Sequence, residues 1–134
     1  YRYCREAYDG IALRALLKSD GKSSHRAIRN AIEKLAKRRR ISQPAEASAG
    51  CIFRNPEDIS AGLLIEQAGL KGKREGGAII SNKHANFILN QGGATAGEVI
   101  SLIQRVRDRV RESNGLVLEP EVTLMGKSWN EYLS

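Results

Sequence analysis

The run of residues 48–56, Ser-Ala-Gly-Cys-Ile-Phe-Arg-Asn-Pro, constrains this chain more than any other stretch. Gly50 lets the backbone take a positive φ or approach a ligand closely, and Cys51 follows it with a titratable thiol. Two apolar residues can hold the segment in a core, and Pro56 ends any strand because it has no N–H to donate to a ladder. Such a stretch predicts an active-site loop. The alternative is a buried cysteine in a glycine-containing turn, the commoner setting for a lone cysteine.

The pattern on either side of this run predicts short strands alternating with helices. Capped segments with helical spacing predict helices from 23 or 24 to about 40, from 58 or 60 to 69, and from 95 to about 113. Short apolar runs predict strands at 11–18, 78–80, 87–89, 116–118 and 121–125. The connections are too short for a full set of parallel crossovers. We therefore expect an α+β fold, with a small mixed or antiparallel sheet and helices packed on one side. A length of 134 residues indicates one domain, or one domain with part of a neighbour.

The positive charge is concentrated in the first third of the chain. Residues 1–45 hold 12 Lys or Arg against 4 Asp or Glu, a net charge of +8, whereas residues 46–134 hold 10 against 11, a net charge of −1. The basic run 37–40 predicts an anionic partner, or equally a solvated helix end whose cations favour the helix dipole. The rival function is thus a basic nucleic-acid-binding module. Few aromatics are present to stack on bases, and no RNA-recognition or zinc pattern occurs, so we expect no nucleic-acid partner.

Composition also excludes several kinds of site. No apolar run reaches the roughly 18 residues of a membrane span, so we expect no membrane partner. The two cysteines and two histidines have no metal-ligand spacing, so we expect no metal. A reducing, cytoplasmic environment is the default for so few cysteines. The chain begins at Tyr1 without a methionine, so we expect its natural start to lie elsewhere. Oligomeric state is left open.

Three further positions carry candidate chemistry. Arg2 lies between two tyrosines, and arginine is suited to bidentate capture of a carboxylate or phosphate. Glu121 follows Pro120 in a segment with two carboxylates, and His84 with Asn86 lies between two apolar strands. Each has a plainer explanation: a solvated arginine, a surface ion pair, and ordinary turn chemistry.

Together these stretches resemble one family. The motifs are Ala-Gly-Cys-Ile-Phe-Arg-Asn-Pro at 49–56, Leu-Ile-Glu-Gln-Ala-Gly-Leu-Lys-Gly at 64–72, Gly-Gly-Ala at 76–78, Lys-His-Ala-Asn-Phe-Ile-Leu-Asn at 83–90, and Leu-Glu-Pro-Glu-Val at 118–122. In this order they resemble the UDP-N-acetylenolpyruvoylglucosamine reductase family of peptidoglycan synthesis. The resemblance covers residues 1–3 and about 38–126.

The resemblance implies a domain division and a reaction. Residues 1–20 would be the end of the FAD-binding region, with its last strand, and residues 21–134 the C-terminal substrate-binding domain. The family uses NADPH to reduce enzyme-bound FAD, which then reduces the enolpyruvyl group of a UDP-sugar to give UDP-N-acetylmuramate. Because the family's N-terminal segments hold most of the FAD, we expect this stretch alone to be inactive. A non-catalytic nucleotide-sugar-binding domain is the remaining alternative.

The resemblance also implies roles for individual residues. Arg2 would face the substrate carboxylate, Cys51 would take the place of the proton donor, which is usually Ser, and Glu121 would be the catalytic glutamate. The remaining implied contacts are to substrate, through Arg40, Gln43, Asn55 and His84, and to the flavin, through Gly50 and Cys51.

Overall fold

The computed structural model describes residues 13–19 and 21–133. The chain divides into two compact units, Tyr1–Lys34 and Leu35–Ser134. Arg2 lies outside the described residues. Residues 13–19 form neither helix nor strand, and Leu13, Leu16 and Leu17 are exposed. The strand predicted at 11–18 is therefore wrong over its described part, because alternating residues make a strand only where an edge accepts their hydrogen bonds.

The first helix, α1, spans His25–Ser42. It begins as predicted, since the Ser24 hydroxyl accepts a hydrogen bond from the Ala27 N–H at 3.2 Å. Its last turn carries Arg39 and Arg40, where cations interact favourably with the helix dipole. No residue of α1 is buried, so the apolar residues that share one of its faces, Ile28, Ile32 and Leu35, are all exposed.

Four strands form one sheet: β1 at Ser48–Cys51, β2 at Arg74–Glu75, β3 at Ala78–Ile80 and β4 at Phe87–Asn90. Their order is β1-β4-β3-β2, and every neighbouring pair is antiparallel. This confirms the small α+β fold. The structure adds β2, for which the sequence pattern predicts no strand.

The strands predicted at 116–118 and 121–125 do not form. Only an isolated bridge joins Phe53 to Pro120. Hydrogen bonds of Arg54 and Glu121 flank this bridge, so the missing N–H of Pro120 is not what ends the ladder. The prediction was wrong because this pairing is confined to the residues beside the bridge, and the rest of each apolar run forms no strand.

Among the described residues, two α-helices lie wholly within the second unit, α2 at Ala61–Gln67 and α3 at Ala96–Asn114, and a short 3-10 helix spans Trp129–Glu131. The ends of α3 are as predicted: Thr95 and Glu98 form a complete capping box, and Gly115 ends the helix with a φ of 69°. The helix packs against β2, β3 and α2. Its inward residues Ile103, Val106 and Val110 are buried as expected, whereas Val99 is only partly covered.

The sheet has two distinct faces. Ala78, Ile80 and Ile88 belong to the core cluster that includes the inner face of α3. Phe87 precedes Ile88 on β4, so its side chain lies on the opposite face. Cys51 is the cross-strand partner of Phe87, and cross-strand partners share a face. The thiol is therefore on the sheet face away from α3. Among the described residues, none of the helices is long and apolar enough to cross a membrane.

Candidate functional site

The segment 52–54, directly after β1, is hydrogen-bonded along both edges. On one edge, the Arg54 N–H donates to the Glu119 carbonyl at 2.9 Å, and the Glu121 N–H donates to the Ile52 carbonyl at 2.7 Å. These bonds flank the Phe53–Pro120 bridge and place Glu121 opposite Ile52, one residue along the chain from Cys51. Two residues 70 positions apart in the sequence, predicted separately as catalytic, are thus brought onto neighbouring positions of one strand pair.

The other edge of the segment is held by Asn86. Its backbone carbonyl accepts from the Ile52 N–H at 2.9 Å. Its side-chain oxygen accepts from the Phe53 N–H at 3.0 Å, and its side-chain amide donates to the Phe53 carbonyl at 2.8 Å. Asn86 is buried, so these bonds form away from water. The sequence pattern indicates Asn86 only as part of a polar turn beside His84.

Gly50 and Cys51 take the geometry that the sequence suggested. Gly50 has a φ of 87°, in the left-handed region that favours glycine. The pairing of β1 with β4 shifts register between Ser48 and Cys51, so an irregularity falls on the glycine. Apart from Gly50 and its two chain neighbours, no described atom lies within 4 Å of the position that a Cβ on Gly50 would take. Cys51 itself is half-buried.

Asn55 positions the start of α2. Its side-chain oxygen accepts from the Ala61 N–H at 3.0 Å, while the hydroxyl of Ser60, the N-cap residue, accepts from the Leu63 N–H at 3.2 Å. The loop between the cysteine strand and α2 is therefore closed by its own polar side chains. With the oxygen of Asn55 engaged, its amide group is the part that can donate to a ligand.

His84 lies beside the same helix start. Its Nδ1 accepts from the Asn86 N–H at 3.3 Å, so the neutral ring carries its proton on Nε2. The ring packs edge-on against Phe87, with centroids 4.9 Å apart. A Cβ on Gly62 would lie 3.2 Å from His84 Cε1, so glycine at this position leaves the ring its space. The ring lines a cavity of about 340 Å³, with Ser60, Gly62, Leu63, Glu66, Lys83 and Ala85.

Arg40 and Gln43 lie at the end of α1, and a lysine links that end to the His84 turn. The Lys83 ammonium donates to the Arg40 carbonyl. The Gln43 side-chain oxygen accepts from Arg39 Nε at 3.0 Å. Lys83 was missed as a site residue, although its position directly before His84 in a matching motif was the available signal. Two N–H groups, of Lys83 and His84, donate to the Ser81 hydroxyl and shape this turn.

The structure thus makes two groupings and links them. Cys51 and Glu121 lie on one strand pair, and Asn55 and His84 lie at the start of α2. Asn86 contacts both groupings, through Phe53 and through His84 Nδ1. Within the described ranges, no cluster of three His, Cys, Asp or Glu residues could hold a metal ion.

Comparisons with known proteins agree on one family. Residues 43–125 match the sequence model described as UDP-N-acetylenolpyruvoylglucosamine reductase, C-terminal domain. The reductase of Desulfosudis oleivorans is 48% identical over 103 residues, which cover 75% of this chain and 33% of that protein. The reductase of Heliobacterium modesticaldum is 54% identical over 98 residues, covering 72% of this chain and 31% of that protein.

A solved structure is similar in fold as well as in sequence. The crystal structure of the UDP-N-acetylenolpyruvylglucosamine reductase from Thermus caldophilus matches with a TM-score of 0.64 and 40% identity, over 75% of this chain and 35% of that one. The chain spans about a third of the length of the curated relatives it matches.

Proposed function

We propose that this chain is the substrate-binding part of a UDP-N-acetylmuramate dehydrogenase. The reason is that the chain belongs to the UDP-N-acetylenolpyruvoylglucosamine reductase family and matches the C-terminal domain of that family. This oxidoreductase would reduce UDP-N-acetylglucosamine enolpyruvate to UDP-N-acetylmuramate with NADPH and FAD. The process served would be peptidoglycan synthesis, and with it cell-wall biogenesis, cell shape and division, in the cytoplasm. Residues 1–20 would end the flavin-binding region, and residues 21–134 would form the substrate domain.

The observation that supports this proposal most directly is the pairing of 52–54 with 119–121. It brings the backbones of Cys51 and Glu121 to neighbouring positions of one hydrogen-bonded strand pair. Cys51 supplies an acid on a short side chain, and Glu121 supplies a carboxyl group. Reduction of an enolpyruvyl double bond calls for such a pair, because one carbon needs a proton and the adjoining carboxylate gathers charge. The basic-module alternative receives no support from the family match.

The residues of this chain would divide the chemistry between them. FAD, when bound, supplies the hydride that NADPH has delivered to it. Arg2 would hold the substrate carboxylate, and a protonated Glu121 would donate a hydrogen bond to it as negative charge develops there. Cys51 would then give its proton to the adjoining carbon. A thiol has an ordinary pKa of about 8.5, so most of it carries the required proton at neutral pH.

Gly50 and Cys51 would contact one edge of the flat flavin ring. Gly50 has no side chain, and the space where its Cβ would stand is open among the described atoms, so a planar group can approach this backbone closely. Cys51 is half-buried at the same place. These two residues would contact the cofactor while other parts of the complete protein hold most of it.

The UDP part of the substrate would bind near the start of α2. Asn55 would donate through its amide group, and His84 would donate through Nε2 into the cavity beside Lys83. Arg40, whose carbonyl accepts from Lys83, would help place the diphosphate together with Gln43, because guanidinium and ammonium groups bind phosphate oxygens well. Gln43 lies at the same end of α1 and accepts from Arg39.

The test uses the complete protein with bound FAD and follows each half-reaction by stopped-flow absorbance. Glu121→Gln should slow flavin reoxidation by the enolpyruvyl substrate by a factor on the order of 10²–10³, and should leave flavin reduction by NADPH nearly unchanged. Glu119→Gln is the matched control. The Glu119 side chain is exposed and forms a 3.6 Å ion pair with Arg54, an interaction that contributes little.

Two results would count against the proposal. Equal losses in both half-reactions for Glu121→Gln would give Glu121 a structural role instead. If the wild-type flavin is not reoxidised by the enolpyruvyl substrate at all, the proposed reaction is wrong.

A further inference from the structure

Asn86 is a buried polar residue that the chemistry above does not use, and every polar group it has is engaged in the site. Its side chain forms both hydrogen bonds with Phe53, and its carbonyl accepts from Ile52. Its N–H donates to His84 Nδ1. Asn86 is 2% exposed.

These bonds extend the sheet by one step past its end. The ladder between β1 and β4 stops at the Cys51–Phe87 pair, because the chain before Phe87 is in a turn. Beyond that point the carboxamide of Asn86 takes the place of a backbone peptide. Its oxygen accepts a hydrogen bond from the Phe53 N–H, and its NH₂ group donates one to the Phe53 carbonyl. No apolar side chain can do this, since both backbone groups of Phe53 would remain unpaired.

We propose that Asn86 is a positioning residue for the reaction: it fixes the backbone that follows Cys51, and with it the direction of the thiol relative to His84 and Glu121. The catalytic meaning of this statement rests on the proposed function. The hold on Cys51 does not, and it can be measured separately.

The physical reason is the position of the two hydrogen bonds between the Asn86 side chain and Phe53. Phe53 is two residues from Cys51, and its other edge is held only by the isolated bridge to Pro120. Without the carboxamide, the segment 52–54 keeps its bonds to Glu119 and Glu121 and the backbone bond from Ile52 to Asn86. The N–H and carbonyl of Phe53 lose their partners, however, and the segment can open locally. Local opening exposes the half-buried thiol more often, and a displacement of about 1 Å in a reacting group can cost about 10²-fold in rate.

The experiment compares Asn86→Leu with Val106→Ala in the complete protein. Leucine has the same branched shape as asparagine but makes neither hydrogen bond. Val106 is a buried core residue of α3, and its truncation lowers stability by another route. Both variants are studied well below their unfolding temperatures. The milder Asn86→Ser is measured beside them in case leucine prevents folding.

The first readout needs no cofactor. Iodoacetamide is added, and the modified peptide containing Cys51 is followed by mass spectrometry. We expect the alkylation rate of Cys51 to rise about three- to tenfold in Asn86→Leu, by a smaller factor in Asn86→Ser, and not at all in Val106→Ala. An alkylation rate equal to that of Val106→Ala would overturn the proposal.

The second readout is the split between half-reactions. Flavin reoxidation by the enolpyruvyl substrate should slow about 10- to 100-fold in Asn86→Leu, while flavin reduction by NADPH stays as in Val106→Ala. Faster alkylation with unchanged reoxidation would overturn the positioning role, because Asn86 would then serve stability alone. A wild-type protein that never reoxidises with this substrate refutes the proposed function, whereas the alkylation rates still decide whether Asn86 holds Cys51.

Discussion

Replacement of Gly77 by alanine should destabilise the fold strongly. Gly77 lies between β2 and β3, and a Cβ there would be 2.6 Å from the Ala94 nitrogen, 2.8 Å from the Gly92 carbonyl oxygen and 2.9 Å from the Ala94 Cα. All three are backbone atoms, so no side-chain rotation can relieve the overlap. The segment 92–94 leads into the capping box of α3, and it must move away for alanine to fit.

The size of the effect follows from what that movement disturbs. Overpacking of this kind costs about 1–3 kcal/mol. The Gln91 N–H donates to the Gly77 carbonyl at 3.0 Å, and loss of such a bond adds about 0.5–1.5 kcal/mol. The Gly77 N–H also donates to Glu98 at 3.3 Å, which joins the hairpin to α3. We expect the free energy of unfolding to fall by about 2–4 kcal/mol.

The assay is urea unfolding followed by circular dichroism, with Gly97→Ala as the control. Gly97 is in the first turn of α3, and the nearest atom to its Cβ position is Thr95 Oγ1 at 3.9 Å, an ordinary contact. Alanine there should raise stability by up to about 1 kcal/mol, because it restricts the unfolded chain. The reasoning is refuted if Gly77→Ala and Gly97→Ala unfold at the same urea concentration.

Two further predictions concern the site and the pH response. Cys51→Ser keeps a proton on a short side chain and should retain much of the substrate half-reaction, whereas Cys51→Ala should slow it about 10²–10⁴-fold; near-normal rates for alanine in stopped-flow measurements would remove Cys51 as the acid. The backbone N–H of Thr95, and next that of Gly77, hold the pKa of Glu98 below its ordinary value of 4.5. A depressed carboxyl pKa stabilises the fold above the unfolded pKa and loses this effect as pH falls through the folded value. Unfolding curves below pH 4.5 should therefore depend less steeply on pH in Glu98→Gln, and an unchanged slope would contradict this role.

The sequence determined those elements whose signals are local. The ends of α3 were predicted correctly because Thr95, Glu98 and Gly115 act within one helical turn of the ends that they fix. Strands β3 and β4 were predicted from short apolar runs, and the start of α1 from a serine cap. The motif order indicated the family, which the comparison over residues 43–125 confirmed.

The tertiary structure decided where the candidate site residues lie, whereas their chemical roles remain predictions. The sequence named Cys51 and Glu121 separately, and only the pairing across Phe53 and Pro120 put them on one element. The roles assigned to Cys51 and Glu121 stay predictions that the variants above test, and the roles assigned to Asn55 and His84 stay predictions.

Only the tertiary structure decided where strands end and what replaces them. Alternation at 11–18 satisfied a strand period, but a strand also needs donors and acceptors from a distant edge. The apolar runs beside Pro120 satisfied the same period, yet only the residues next to the bridge pair with 52–54. Asn86 shows the converse case. It lies 33 residues from Phe53 in the sequence. Its side chain pairs with the backbone N–H and carbonyl of Phe53, and no local sequence pattern predicts that pairing. Periodicity and caps act between neighbours in the sequence, whereas the pairing of a buried N–H or carbonyl depends on which part of the folded chain lies beside it.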